Sequence, residues 1–142
     1  MEFLNDYSVF YENKDMINGG GTFSDCPIGW RALVRQLFKD IRDVCTTYNS
    51  LLPKVTQVKS KFGRLCFYLE YDWMVGRSPV VIEVNRLIGE AEKRSTFICE
   101  ITGLPGSYFV KEGWYATLNE KKATELGYKK VEGQLIVEDL NI

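Results

Sequence analysis

The chain has 142 residues, 45% hydrophobic and 26% charged, which suits a single globular domain with its own core and excludes a disordered chain. Lys and Arg number 18 against 19 Asp and Glu, so a net charge of −1 gives no global attraction to nucleic acid or anionic membrane. Histidine is absent, which excludes Ser-His-Asp and Cys-His catalysis within the chain and leaves any zinc site dependent on thiolates and carboxylates.

Residues 1–6 show no basic stretch followed by an apolar one, so no signal peptide is expected. No apolar run approaches the roughly 18 residues that span a bilayer. Residues 1–28 read as an irregular N-terminal segment in which Phe3, Leu4, Tyr7, Val9, Phe10 and Tyr11 can pack on a core. Gly19-Gly20-Gly21 lacks the ending of a phosphate loop and reads as a flexible connector. Over 29–50 the residues Trp30, Leu33, Val34, Leu37, Phe38, Ile41, Val44, Cys45 and Tyr48 recur at spacings of three and four, which predicts an amphipathic helix. Ser24 or Asp25, with Pro27 just inside, is its expected start and Pro53 its stop.

Residues 54–72 predict a hairpin turning at Phe62-Gly63-Arg64, with Leu65, Phe67, Leu69 and Tyr71 on one face of the second strand. Ser78 and Pro79 open a second helix over 79–95. Its apolar stripe holds Val80, Val81, Val84, Leu87, Ile88 and Ala91, and Glu90, Glu92, Lys93 and Arg94 lie on the solvent side. Phe97–Ile101 reads as a strand before a turn at 103–106. Extended segments follow around Tyr108 and Trp114, then a short helix from Asn119 to Leu126 capped by Gly127, and a last strand over 134–137. The fold class is therefore α+β: two amphipathic helices on a small, mostly antiparallel sheet, with a ribbon-like C-terminal half over 97–142. The four cysteines, Cys26, Cys45, Cys66 and Cys99, form no C-x-x-C and are expected to be reduced thiols in a cytoplasmic setting.

Gly29-Trp30, the run Gln57 to Tyr68, Ala91-Glu92 with Ser95, Cys99-Glu100 with Gly103 and Pro105-Gly106, and Gly113-Trp114 with Thr117-Leu118 together resemble a family of small uncharacterised proteins of bacteriophages, prophages and bacterial genomes. In that family a C-x-x-C and a later C-x-x-H resemble the ligand pairs of a zinc ribbon. The resemblance implies that Cys99 is a vestige, because Thr102, Asn119 and Lys122 stand at the other three positions. No metal or cofactor is expected, and packing of Phe97, Tyr108, Phe109, Trp114 and Tyr115 is expected to hold the half instead.

The hairpin bears four cations, Lys54, Lys59, Lys61 and Arg64, and the candidate binding residues are Lys59, Lys61, Phe62 and Arg64, with Tyr68, Glu70 and Trp73 nearby. Lysines beside an aromatic can grip phosphate and stack a base, and they can equally protect a sheet edge. Glu70 and Asp72 share a strand face, where paired carboxylates suit acid–base chemistry or ordinary surface charge. Trp30 and Trp114 fall on apolar faces, whereas Trp73, with Met74 and Val75, is the expected partner or homodimer surface. The chain is thus expected to be a non-enzymatic binding protein without catalytic residues. The resemblance implies a mobile-element accessory protein that engages or inhibits a host protein, for instance in a defence system. The alternatives are a nucleic-acid or nucleotide binder using the hairpin 54–64, and a small hydrolase using Glu70 and Asp72.

Overall fold

A computed structural model describes residues 8–23, 25–71 and 78–131, and of residues 19–22 the backbone alone. The chain is α+β. Its elements run α1 (Ser8–Glu12), β1 (Ile17–Thr22), α2 (Arg31–Thr47), β2 (Lys54–Lys61), β3 (Arg64–Glu70), α3 (Pro79–Ser95), β4 (Ser107–Lys111), β5 (Trp114–Leu118), α4 (Glu120–Leu126) and β6 (Lys129–Lys130). Among the described residues the strands form two three-stranded sheets, ordered β1-β2-β3 and β5-β4-β6. No helix among the described residues is long and apolar enough to cross a membrane.

The apolar stripe of α2 does what its spacing predicts. Val34, Leu37, Phe38, Ile41 and Cys45 are buried, and Phe38 meets Phe67 of β3 edge-on at 5.5 Å. The helix ends at Thr47, six residues before Pro53, in a Schellman motif. Asn49 takes a left-handed conformation (φ 51), Asn49 N–H donates to Thr46 O, and Ser50 N–H donates to Cys45 O. At its other end a 3-10 turn over Ile28–Trp30 leads in without a side-chain cap. Ser24, the other expected start, lies outside the described residues.

The hairpin β2–β3 turns at Phe62 and Gly63, both at positive φ, and pairs Lys61 with Arg64. A register shift between Val55 and Gln57 explains the weak alternation of β2. The extra residue lets Val55 and Val58, three apart, both face the core opposite Leu69 and Phe67. Gln57, Lys59 and Lys61 then face outward opposite Tyr68, Cys66 and Arg64.

The N-terminal stretch differs from its irregular reading. Val9 and Phe10 of α1 are buried, and Phe10 stacks on Phe23 at 4.9 Å. The glycine run is no connector: it lies in β1, which pairs in parallel with β2. The free edge of β3 is covered by α3. Ser95 Oγ accepts the Leu65 N–H at 2.9 Å, and the Glu92 carboxylate takes the Phe67 N–H. Glu92 therefore faces the sheet edge and is half-buried, which corrects its expected place on the solvent side.

In the C-terminal half, Phe97–Ile101 is not a strand. Phe97 and Ile98 donate to the last carbonyls of α3, and Cys99 closes a turn with Gly103 and Leu104, leaving one bridge between Ile98 and Pro105. Strands β4 and β5 form a second two-residue hairpin through Glu112 and Gly113, again both at positive φ. Helix α4 is capped by Asn119 and by Gly127 at φ 83, as expected. Strand β6, which the sequence reading lacks, pairs with β4. The expected last strand over 134–137 lies outside the described residues. This half has its own small core of Cys99, Phe109, Ala116, Leu118 and Ala123.

Two glycines give opposite predictions. A Cβ on Gly29 would lie 2.0 Å from the Cys99 carbonyl oxygen, where backbone meets backbone, whereas a Cβ on Gly89 in α3 meets nothing. Gly29→Ala should cost about 1–3 kcal/mol or more by overpacking. Gly89→Ala should stabilise by about 0.5–1 kcal/mol through helix propensity. Urea unfolding of both variants checks the pair.

Candidate functional site

The four cations of the first hairpin are not equivalent. Lys54 Nζ donates to Asp15 O at 2.7 Å. Arg64 is mostly buried and faces Glu92 at 3.9 Å. Lys59 lies 6.0 Å from the Tyr68 ring, which is exposed on the same outer face. Lys61 and Phe62 stand exposed at the tip. The basic stripe read from the sequence therefore reduces to Lys59 and Lys61. Glu70 accepts the Asn18 amide at 2.7 Å. Asp72, Trp73, Met74 and Val75 lie outside the described residues, as do Phe3, Leu4 and Tyr7.

The tip of this hairpin is bolted to the C-terminal half. Tyr108 Oη donates to Phe62 O at 2.8 Å, and Thr117 Oγ1 donates to Gly63 O at 2.7 Å in a buried contact. Gly63 admits this approach because a Cβ there would sit 2.9 Å from the Tyr108 ring and 3.0 Å from Thr117 N. A second seam joins the start of α2 to the same half. Gly29 N–H donates to Glu100 O, and Trp30 Nε1–H donates to Ile98 O, each at 2.8 Å. Between the seams the Glu100 carboxylate accepts the Thr117 N–H at 2.9 Å and the Ser60 hydroxyl. Burial pushes the Glu100 carboxyl above its ordinary range, and these two donors offset part of the rise. The Gly29-Trp30, Phe62-Gly63, Glu100 and Thr117 positions are therefore joints between the two halves.

Three of the four ribbon positions converge. The buried Cys99 sulfur accepts the Thr102 N–H at 3.4 Å, and the Thr102 hydroxyl and the N–H groups of Asn119 and Ile101 also reach it. Burial raises this thiol, but the converging donors win and hold it below its ordinary value. Asn119 itself caps α4, with its side chain accepting the Lys121 N–H at 3.1 Å. Lys122 points away to pair with Glu125 at 3.1 Å. Among the described residues no three His, Cys, Asp or Glu side chains gather as metal ligands do.

The expected aromatic filling of this half is corrected. Phe109 is buried and Tyr108 stacks on Tyr115 at 5.2 Å, but Phe97 and Trp114 are largely exposed. Trp114 is 75% exposed and Trp30 is fully buried, so the two tryptophans assigned to apolar faces part company. The reason for Trp114 is register. It pairs with Lys111 at the mouth of a two-residue turn, beyond the reach of the small core.

These placements open a cleft of about 380 Å³ between the hairpin tips. One wall is Ser60, Lys61 and Phe62, and the other is Glu112, Gly113, Trp114 and Tyr115. Phe62, 48% exposed, sits at φ 54, a conformation an aromatic residue rarely takes. Sequence reasoning found Phe62 and Lys61 and missed Trp114. The repeated signal was present: both tips read residue-Gly between strand-forming runs, at 62–63 and 112–113. Comparison with protein-family models, with curated proteins and with solved structures finds no match.

Two variants probe the joint. The folded chain holds the Glu100 proton more tightly than the unfolded chain, whose ordinary value is 4.5. The stability this proton contributes is full below that value and is lost as pH rises through the raised folded value. Glu100→Gln, which cannot ionise, should flatten that part of the stability profile, read as urea midpoints across the acid range. Glu92, raised by the same cause, remains as a background in both proteins. Cys99→Ala should cost about 1–3 kcal/mol, because it empties the space of a fully buried sulfur and removes the acceptor of the Thr102 N–H. Thermal unfolding of that variant measures it.

Proposed function

We propose that this chain is a non-enzymatic binding protein that docks a protein partner in the cleft between its two hairpin tips. The observation that carries this reading is the display of Phe62 and Trp114 on opposite walls, with the Phe62-Gly63 turn held against the second hairpin by the Tyr108–Phe62 and Thr117–Gly63 hydrogen bonds. Large rings left in water add little to folding, whereas an aromatic side chain has only two torsions to lose when a partner covers it. Aromatic residues of this kind dominate binding energy at protein interfaces.

Charge supports a protein over a nucleic acid. Two of the four hairpin cations are engaged within the fold, and the cleft carries Glu112 opposite Lys61. A phosphate backbone calls for several convergent cations, and its binding falls steeply with salt. Against a hydrolase, Glu70 is engaged by Asn18, and the Cys99 thiol is buried under converging donors. The setting of a mobile-element accessory protein that engages a host component is supported by the sequence resemblance alone.

The test uses the immobilised chain with its Trp114→Ala and Phe62→Ala variants. Both rings are exposed, so each variant should unfold within about 0.5 kcal/mol of the parent. A partner retained by the parent should be weakened about tenfold or more by Trp114→Ala. Retention that ignores both substitutions would sink the reading. Salt-sensitive capture of single-stranded oligonucleotides through Lys59 and Lys61 would replace it with the nucleic-acid alternative.

A further inference from the structure

The kind of peptide the cleft takes can be narrowed by elimination, an inference that rests on the docking reading above. Strand addition needs a free row of backbone donors and acceptors. At the first tip the outward carbonyls of Phe62 and Gly63 already accept from Tyr108 and Thr117, and along the edge strand β5 the Thr117 N–H and carbonyl are already taken by Glu100. A docked helix is about 10–12 Å across and needs a groove holding several successive anchors. The cleft, at about 380 Å³, is near the lower end of ligand pockets, which run from about 300 to about 1,000 Å³. A phosphorylated motif needs a cluster of arginines, and the lining offers one cation, Lys61, against one carboxylate, Glu112.

What remains available is specific. The lining includes aromatic residues from both tips, Phe62 from one and Trp114 and Tyr115 from the other. The Trp114 indole N–H, the Lys61 ammonium and the Glu112 carboxylate hold no hydrogen bond or ion pair among the described residues. An extended polyproline-II segment matches this set. It makes no internal hydrogen bonds, so its carbonyls are free to accept from an indole N–H, and its proline rings pack flat on aromatic faces. Its stiffness means that little entropy is lost on docking. A polyproline-II helix can lie in a groove in either direction, and opposite charges on the two walls would select one of them.

We propose that the cleft between Phe62 and Trp114 binds a proline-rich segment in the polyproline-II conformation, with an acidic ligand residue at Lys61 and a basic one at Glu112. The experiment follows the Trp114 indole N–H by ¹⁵N–¹H correlation spectroscopy on the full chain, with the resonance assigned by its loss in Trp114→Phe. The probes are four. Two are short blocked proline-rich peptides, one with Glu before and Lys after the prolines and one with the charges exchanged. The third has its prolines replaced by alanine, and the fourth is oligodeoxythymidylate.

The proline-rich peptides should shift the indole resonance saturably, and the two charge orders should differ in affinity about threefold or more. The double variant Lys61→Glu with Glu112→Lys should reverse that preference. Equal binding of both charge orders, equal binding of the alanine peptide, or a shift produced only by the oligonucleotide would each overturn the proposal. No shift from any peptide, alongside a partner retained through Trp114, would overturn the proline-rich class without touching the docking site. A partner retained without Trp114 sinks both.

Discussion

The arrangement of the chain hangs on one close approach, the buried contact of Thr117 Oγ1 with the Gly63 carbonyl. It brings the turn of one hairpin against the last strand pair of the other, at a distance only glycine tolerates. Everything nearby follows from it. Tyr108 is drawn onto the neighbouring carbonyl, and Glu100 is shut in between Thr117 and Ser60. The rings at the two tips come to face a common space. The cleft is thus a by-product of a joint, held as firmly as the joint itself.

What the sequence showed plainly was whatever depends on local period. The stripe of α2, the hairpin turn at Phe62-Gly63 and the Asn119 and Gly127 caps of α4 all follow from neighbours within a few residues. What it hid depends on distant partners. The bulge in β2 disguised two core valines, and a parallel strand cannot be seen from glycines that have no side-chain pattern. Glu92 looked like surface because a helical wheel does not know that a strand edge needs acceptors. Trp114 looked like core because hydrophobicity alone does not say that the core beneath it is too small.

The fate of the basic stripe follows the same logic. Four cations within eleven positions read as one feature on paper. In the fold, one closes the N-terminal stretch against β2, one is drawn toward the α3 carboxylate, and two remain outside. A charge count overstates a binding surface wherever the fold has its own uses for the charge. Aromatic rings behave the other way, since burial is their default and exposure is the informative state.

The parallel pairing of β1 with β2 has a consequence for the order of events in folding. The hairpin β2–β3 closes over two residues, whereas β1 reaches β2 only across the length of α2. Loop closure over that distance is slow, and nothing rewards it until the helix has docked. The glycines of β1 add no side-chain adhesion and carry the largest backbone entropy. This strand is therefore expected to join last and to open first, making it the low-stability margin of an otherwise stitched sheet. Its backbone amides should exchange with solvent well before those of the hairpin beside it.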